Sequence, residues 1–70
     1  MWRNGIINGC EYWVKSFDEP SIYGIDEGRI SKLTVRRDDR DIISYDRAWD
    51  LEPQTDEGRA ILETLMKKYN

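Results

Sequence analysis

The stretch Trp2-Arg3-Asn4-Gly5-Ile6-Ile7-Asn8-Gly9-Cys10-Glu11-Tyr12-Trp13-Val14-Lys15 decides the fold. Asn-Gly between two strand-favouring runs is the strongest short hairpin signal, because both central residues of a type I′ turn take positive φ. Strands are therefore expected over about residues 2–7 and 10–17. A two-residue turn also sets the register: Ile7 faces Cys10, Ile6 faces Glu11, Gly5 faces Tyr12, Asn4 faces Trp13, Arg3 faces Val14 and Trp2 faces Lys15. Side chains alternate along a strand, so one face carries Ile7, Cys10, Tyr12 and Val14 and the other Ile6, Trp2, Trp13 and Phe17. Both faces are apolar.

A second hairpin follows. Leu33 and Val35 alternate within residues 29–37, Asp38-Asp39 supplies turn chemistry, and residues 41–47 return with Ile43 and Tyr45 on one side. The fold expected is α+β: a four-stranded antiparallel meander with one C-terminal helix packed on a sheet face, in a single domain spanning residues 1–70. Residues 18–28, with Pro20, Gly24 and Gly28 as breakers, are too long for a tight turn and too apolar for a solvated loop. They are expected to fold onto the sheet. Ala48 to Gln54 reads as a connector, since Pro53 bars helix or central-strand continuation.

The helix is expected over residues 55–69. Thr55 caps it, Asp56 and Glu57 place negative charge at its positive end, and Lys67 and Lys68 occupy its negative end. Ile61, Leu62, Leu65, Met66 and Tyr69 form one stripe toward the sheet, while Arg59, Glu63 and Lys67 run along the outside. Gly58 in the first turn costs about 1 kcal/mol relative to alanine, and either close packing or simple tolerance accounts for it. One helix covers one sheet face. Either the loop around Ile22 and Ile25, with Trp49 and Leu51, covers the other, or an apolar patch is left for a partner.

Composition narrows the functional classes. In 70 residues the chain has 39% hydrophobic and 36% charged side chains, no histidine, one cysteine and a net charge of −3. A chain this short buries about 60% of its unfolded surface and has little room for a deep pocket. A single cysteine excludes an internal disulfide and a Cys/His zinc site, and the lack of histidine removes imidazole catalysis. Cys10 itself reads as a small buried hydrophobe. No leader-like segment and no long apolar run is present, so a cytoplasmic protein away from membranes is expected. The acidic groups Asp26, Glu27, Asp46, Asp50 and Glu52 match no EF-hand spacing, and Gly24-Ile25-Asp26-Glu27-Gly28 lacks the Gly-Lys-Ser/Thr ending of a phosphate loop. No catalytic, metal or cofactor residue is assigned, and no enzymatic activity is expected.

Two interaction readings remain. The first is a protein-binding or dimerising module, its partner an unidentified protein or a second copy, with a surface built from Tyr23, Arg47, Trp49 and Trp13. Within it, Tyr45-Asp46-Arg47-Ala48-Trp49-Asp50 concentrates aromatic, guanidinium and carboxylate groups that suit either recognition or a structural clasp. The second is a nucleic-acid-binding protein that lays Arg29, Lys32, Arg36, Arg37 and Arg40 along a phosphate track. Acidic net charge and the interleaved Asp38, Asp39, Asp41 and Asp46 weigh against it.

Tyr12-Trp13-Val14-Lys15, Asp18-Glu19-Pro20-Ser21, Tyr23-Gly24-Ile25-Asp26, Gly28-Arg29-Ile30-Ser31-Lys32-Leu33, Tyr45-Asp46-Arg47, Trp49-Asp50 and Glu52-Pro53 together resemble a family of short uncharacterised proteins. That family, a domain of unknown function, belongs to Gram-positive bacteria (Firmicutes), their phages and mobile elements. Glycine is commoner there where this chain has Glu27 and Ala48. The resemblance covers nearly the whole chain and implies a small stand-alone cytoplasmic protein, with no functional residues to carry over.

Overall fold

A computed structural model describes residues 1–70. Asn8 at φ 50° and Gly9 at φ 77° make the turn that joins β1 (Trp2–Ile7) to β2 (Cys10–Ser16), and the pairing runs from Ile7 with Cys10 to Trp2 with Lys15. β3 (Ile30–Arg37) and β4 (Arg40–Asp46) form the second hairpin around Asp38 and Asp39, both in the left-handed region that aspartate tolerates. β5 (Trp49–Leu51) returns along β4, and the order β1-β2-β3-β4-β5 is antiparallel throughout. α1 (Asp56–Tyr69) crosses one face of this sheet.

The sheet has five strands, not the four expected, because the connector holds β5. Its turn is Arg47 at φ 61° with the Asp46 amide donating to the Ala48 carbonyl (2.9 Å). Arginine carries no turn signal. Three residues are also too few to display alternation, and the extra residue Asp50 bulges between Trp49 and Leu51. The outer boundaries differ slightly as well: β2 ends at Ser16, with Phe17 still donating its amide to Arg29, and β4 begins at Arg40.

Two further bulges shape the core. Ile42 is the extra residue where Val35 pairs with Ile43 and Arg36 with Asp41, so Ile42 and Ile43 both reach the apolar side. Ser31 is the extra residue opposite Lys15 and Ser16; it is buried and donates from Oγ to the Lys15 carbonyl (3.4 Å).

The core lies between α1 and the sheet face bearing Cys10, Tyr12, Val14, Leu33, Val35, Ile43 and Tyr45, with Ile30 and Ile25 closing one end. Ile61 and Leu65 are the fully buried helix residues of this layer, each stabilising by about 1.5–3 kcal/mol through burial. At the start of α1 the Thr55 hydroxyl accepts the Gly58 amide at 3.0 Å. A Cβ on Gly58 would stand 3.2 Å from both the Pro53 side chain and the Thr55 hydroxyl, a tight contact that a larger residue there would meet only if Pro53 or Thr55 gave by a few tenths of an ångström.

The loop at 18–28 folds onto the sheet, and it does so on the helix side. Ile25 enters the core, while Gly24 passes so close to the Gly28 carbonyl that any side chain at 24 would collide with it. Asp26 and Glu27 are left-handed at φ 52° and 58°, so position 27 takes a conformation that glycine adopts most readily; Ala48 has no such conformation, its neighbour Arg47 having it instead. Asn70, just past α1, locks the loop: Oδ1 accepts the Ile30 amide at 2.9 Å and Nδ2 donates to the Ile25 carbonyl at 3.1 Å. Two hydrogen bonds from phenols complete the seam. Tyr45 donates to the Tyr23 carbonyl (2.8 Å), and the Tyr12 and Tyr69 hydroxyls lie 2.9 Å apart in a hydrogen bond. No buried side-chain nitrogen or oxygen lacks a partner.

Asn70→Ala leaves the Ile30 amide unpaired and removes one of the two donors to the Ile25 carbonyl, which keeps the Gly28 amide, and denaturant titration is expected to show a loss of about 1–3 kcal/mol; an unchanged midpoint would remove the lock from this account. The Tyr12 pKa is raised, chiefly by its bond to Tyr69 and then by burial, and that of Tyr45 is raised by burial and the nearby Asp26. Phenols whose folded pKa lies above the unfolded value contribute stability that is complete below about pH 10 and lost as pH rises beyond it. Unfolding free energies at about pH 9 and 11 are expected to fall in that order, with a shallower decline in Tyr12→Phe/Tyr45→Phe; parallel declines would count against the assignment.

Candidate interaction surface

The register that turns Cys10, Tyr12 and Val14 toward α1 turns Trp2, Asn4 and Ile6 of β1, Glu11, Trp13 and Lys15 of β2, and Lys32, Thr34 and Arg36 of β3 away from it. No element covers this second face. Trp2 is 56% exposed and Ile6 75%, which makes them two of the largest exposed apolar side chains. Trp13 is half-buried. Its ring lies under the Arg36 guanidinium, 5.2 Å from centroid to Cζ, and Arg36 Nε donates to Asp41 at 2.9 Å. That carboxylate raises the Arg36 pKa further, so the guanidinium is a permanent cation. Trp2, Trp13, Thr34 and Arg36 line an open hollow of about 360 Å³. At one end of the face Lys32 pairs with Asp46 (3.8 Å), and Lys15 stands over the Phe17 ring at 5.4 Å.

The four residues singled out in the sequence occupy three places. Trp13 is on the open face. Tyr23 and Arg47 come together with Asp46 and Ala48 around a separate hollow of about 420 Å³ beside the β4–β5 turn. Trp49 joins neither; it packs edge-on against Tyr45, centroids 5.0 Å apart and planes at 76°, and so anchors the connector, while Arg47 pairs with its neighbour Asp46 (3.6 Å) and not with an acid of the 18–28 loop. The register of the first hairpin places Trp2 and Trp13 on one face, but the sequence does not set Thr34 and Arg36 beside them. The residues facing Trp13 from β3 depend on where β3 begins after the loop and on the bulge at Ser31, and neither is written in the local pattern.

The five basic residues form no continuous line. Arg29 donates to the Asn70 carbonyl (3.3 Å), Lys32 and Arg36 lie on the open face with their aspartates, and Arg40 is exposed near the start of β4. Arg37 pairs with Glu57 of α1 and donates to the Asn8 carbonyl (3.2 Å), so it serves as a strut between the first turn and the helix.

Other chemistry-bearing groups are dispersed. Cys10 is a fully buried free thiol, no group of three or more Cys, Asp or Glu side chains is placed to hold a metal ion, and no helix is long and apolar enough to cross a membrane.

With this geometry in view, comparison with protein families is informative. The family model described as "Domain of unknown function (DUF7678)" matches residues 1–70. The chain belongs to that family. The DUF7678 domain therefore coincides with the whole sheet-and-helix unit described above. Comparisons with curated proteins and with solved structures give no match.

If Arg36 stacks on Trp13 in solution, its side-chain protons are shifted upfield by the indole ring current, and Trp13→Leu abolishes the shift. Arg36 protons at ordinary positions in the wild-type spectrum would show the stack to be absent.

Proposed function

We propose that this DUF7678 domain is a non-enzymatic protein-binding module whose working surface is the open sheet face around Trp2, Trp13 and Arg36. The observation that carries the reading is the exposure of Trp2 and Ile6 beside a Trp13–Arg36 stack, on a face that the chain's own helix and loop leave free. Tryptophan and arginine are the side chains that most often dominate binding energy at protein interfaces, and rigid aromatic anchors lose little entropy on docking. A rim of Glu11, Lys15, Lys32 and Asp46 surrounds them, as polar rims surround interface centres. Paired or solvent-facing carboxylates and a buried thiol without a neighbouring base support the non-enzymatic part. The module is placed in the cytoplasm, a setting in which a lone free thiol is ordinary.

The test is site-specific photo-crosslinking in the native host. A photoreactive residue replacing Thr34, at the centre of the face, is expected to give a discrete protein adduct that Trp13→Glu removes, whereas the same group replacing Glu63 on the outer side of α1 gives none. No adduct from position 34, or adducts equally strong from position 63, would overturn the reading.

A further inference from the structure

We propose that two copies of this chain associate through β1, antiparallel and two-fold symmetric about Asn4, so that their sheets continue as one. β1 and β5 are the two edges of the sheet. β5 is three residues long and followed by Pro53, which is how sheets blunt an edge; β1 is six residues long, has no proline and carries one charge, Arg3.

The hydrogen bonds of β1 show which of its backbone groups are free. The Met1 amine donates to the Ser16 carbonyl (2.7 Å) and the Ser16 amide donates to the Met1 carbonyl (3.0 Å), so Met1 and Ser16 are a hydrogen-bonded pair. Such pairs alternate along an antiparallel ladder, which makes Arg3–Val14, Gly5–Tyr12 and Ile7–Cys10 the bonded pairs. The N–H and C=O groups of Trp2, Asn4 and Ile6 then point outward from the edge, six backbone groups without a partner in the sheet.

The partner is a second copy because this edge is complementary to itself. Centred on Asn4, the pairing sets Asn4 against Asn4, and Trp2 of each copy against Ile6 of the other. All six outward groups on each edge are then bonded. Arg3 falls opposite Gly5, whose vacant side-chain position is overlain by the Tyr12 ring, with Tyr12 Oη 2.9 Å from where a Cβ would stand. Arg3 therefore meets no opposing side chain from the residue it faces, and no like charge. The neighbouring symmetric registers are worse: one centred on Arg3 sets arginine against arginine, and one centred on Gly5 moves Trp2 opposite the turn residue Asn8. The two-fold axis runs perpendicular to the sheet, so both helices lie on one side and the two open faces merge on the other. The pairing uses the backbone of β1 and stands independently of what binds around Trp13.

Sedimentation and amide-exchange NMR of the full chain over a concentration series test the proposal. The mass is expected to rise from one chain to two by about 1 mM. In the dimer, exchange at the Trp2, Asn4 and Ile6 amides slows by about tenfold or more, while Arg3, Gly5 and Ile7 are protected at every concentration. Asn4→Pro removes an outward N–H that the β1–β2 ladder does not use, and it is expected to be monomeric with an unchanged far-ultraviolet spectrum. Trp13→Glu is expected to dimerise normally, which separates this proposal from the preceding one. A wild-type monomer up to about 1 mM, or a dimer in which the Trp2, Asn4 and Ile6 amides exchange as in the monomer, would overturn it. The exchange pattern is read on the wild-type chain and so decides the matter even if Asn4→Pro fails to fold.

Discussion

Ile61 and Leu65 pressed against Val14, Leu33, Val35 and Ile43 form the contact on which the rest of the molecule depends. A helix with side chains is about 10–12 Å across, whereas five strands at about 4.8 Å spacing are about 19 Å wide. One helix therefore spans little more than half of even its own face. The remainder is filled by Ile25 from the loop and by the Tyr45–Trp49 pair at the far side. With the only helix, the long loop and the clasp all on one side, nothing is left to shield the other.

The uncovered face solves its solubility problem with long cationic side chains. Arg36 lies across Trp13 and Lys15 over Phe17, so apolar rings are shielded by stems whose charged ends stay in water. Aspartates then hold the cations: Asp41 fixes Arg36 and Asp46 reaches Lys32. The charges are near balance locally, which leaves the aromatic rings rather than a net field as the distinguishing property of the surface. Trp2, at the β1 edge, has no ring–cation partner and is correspondingly more exposed than Trp13.

Much of this was legible in the chain. Asn8-Gly9 specified a turn and, through the period-two alternation, the register and both faces of the first hairpin; Thr55, the acidic first turn and the apolar stripe marked the helix. What escaped notice shares one physical cause. β5 begins after Arg47 in a left-handed conformation, and the bulges at Ser31, Ile42 and Asp50 each shift register by one residue. Such features arise from tertiary packing and leave no local pattern. For the same reason the sequence marks Trp13 and Arg36 as surface residues on separate hairpins but does not set Arg36 or Thr34 beside Trp13, which the β2–β3 pairing does. Of the residues expected to share one surface, Tyr23 and Arg47 do come together, whereas Trp49 turns inward to Tyr45.

Asn70 has a bearing on the order in which the molecule is completed. Both hairpins are local and can pair soon after their own residues are available, as can the turn at Ile25, but the bonds that hold that turn to β3 come from a side chain 40 and 45 residues further on. A chain emerging from the ribosome therefore has both hairpin sequences available before α1 can cover the core face or seal the Ile25 end. During that interval both faces are bare, and the charged side chains that cover Trp13 and Phe17 are the only protection against premature association that is already in place.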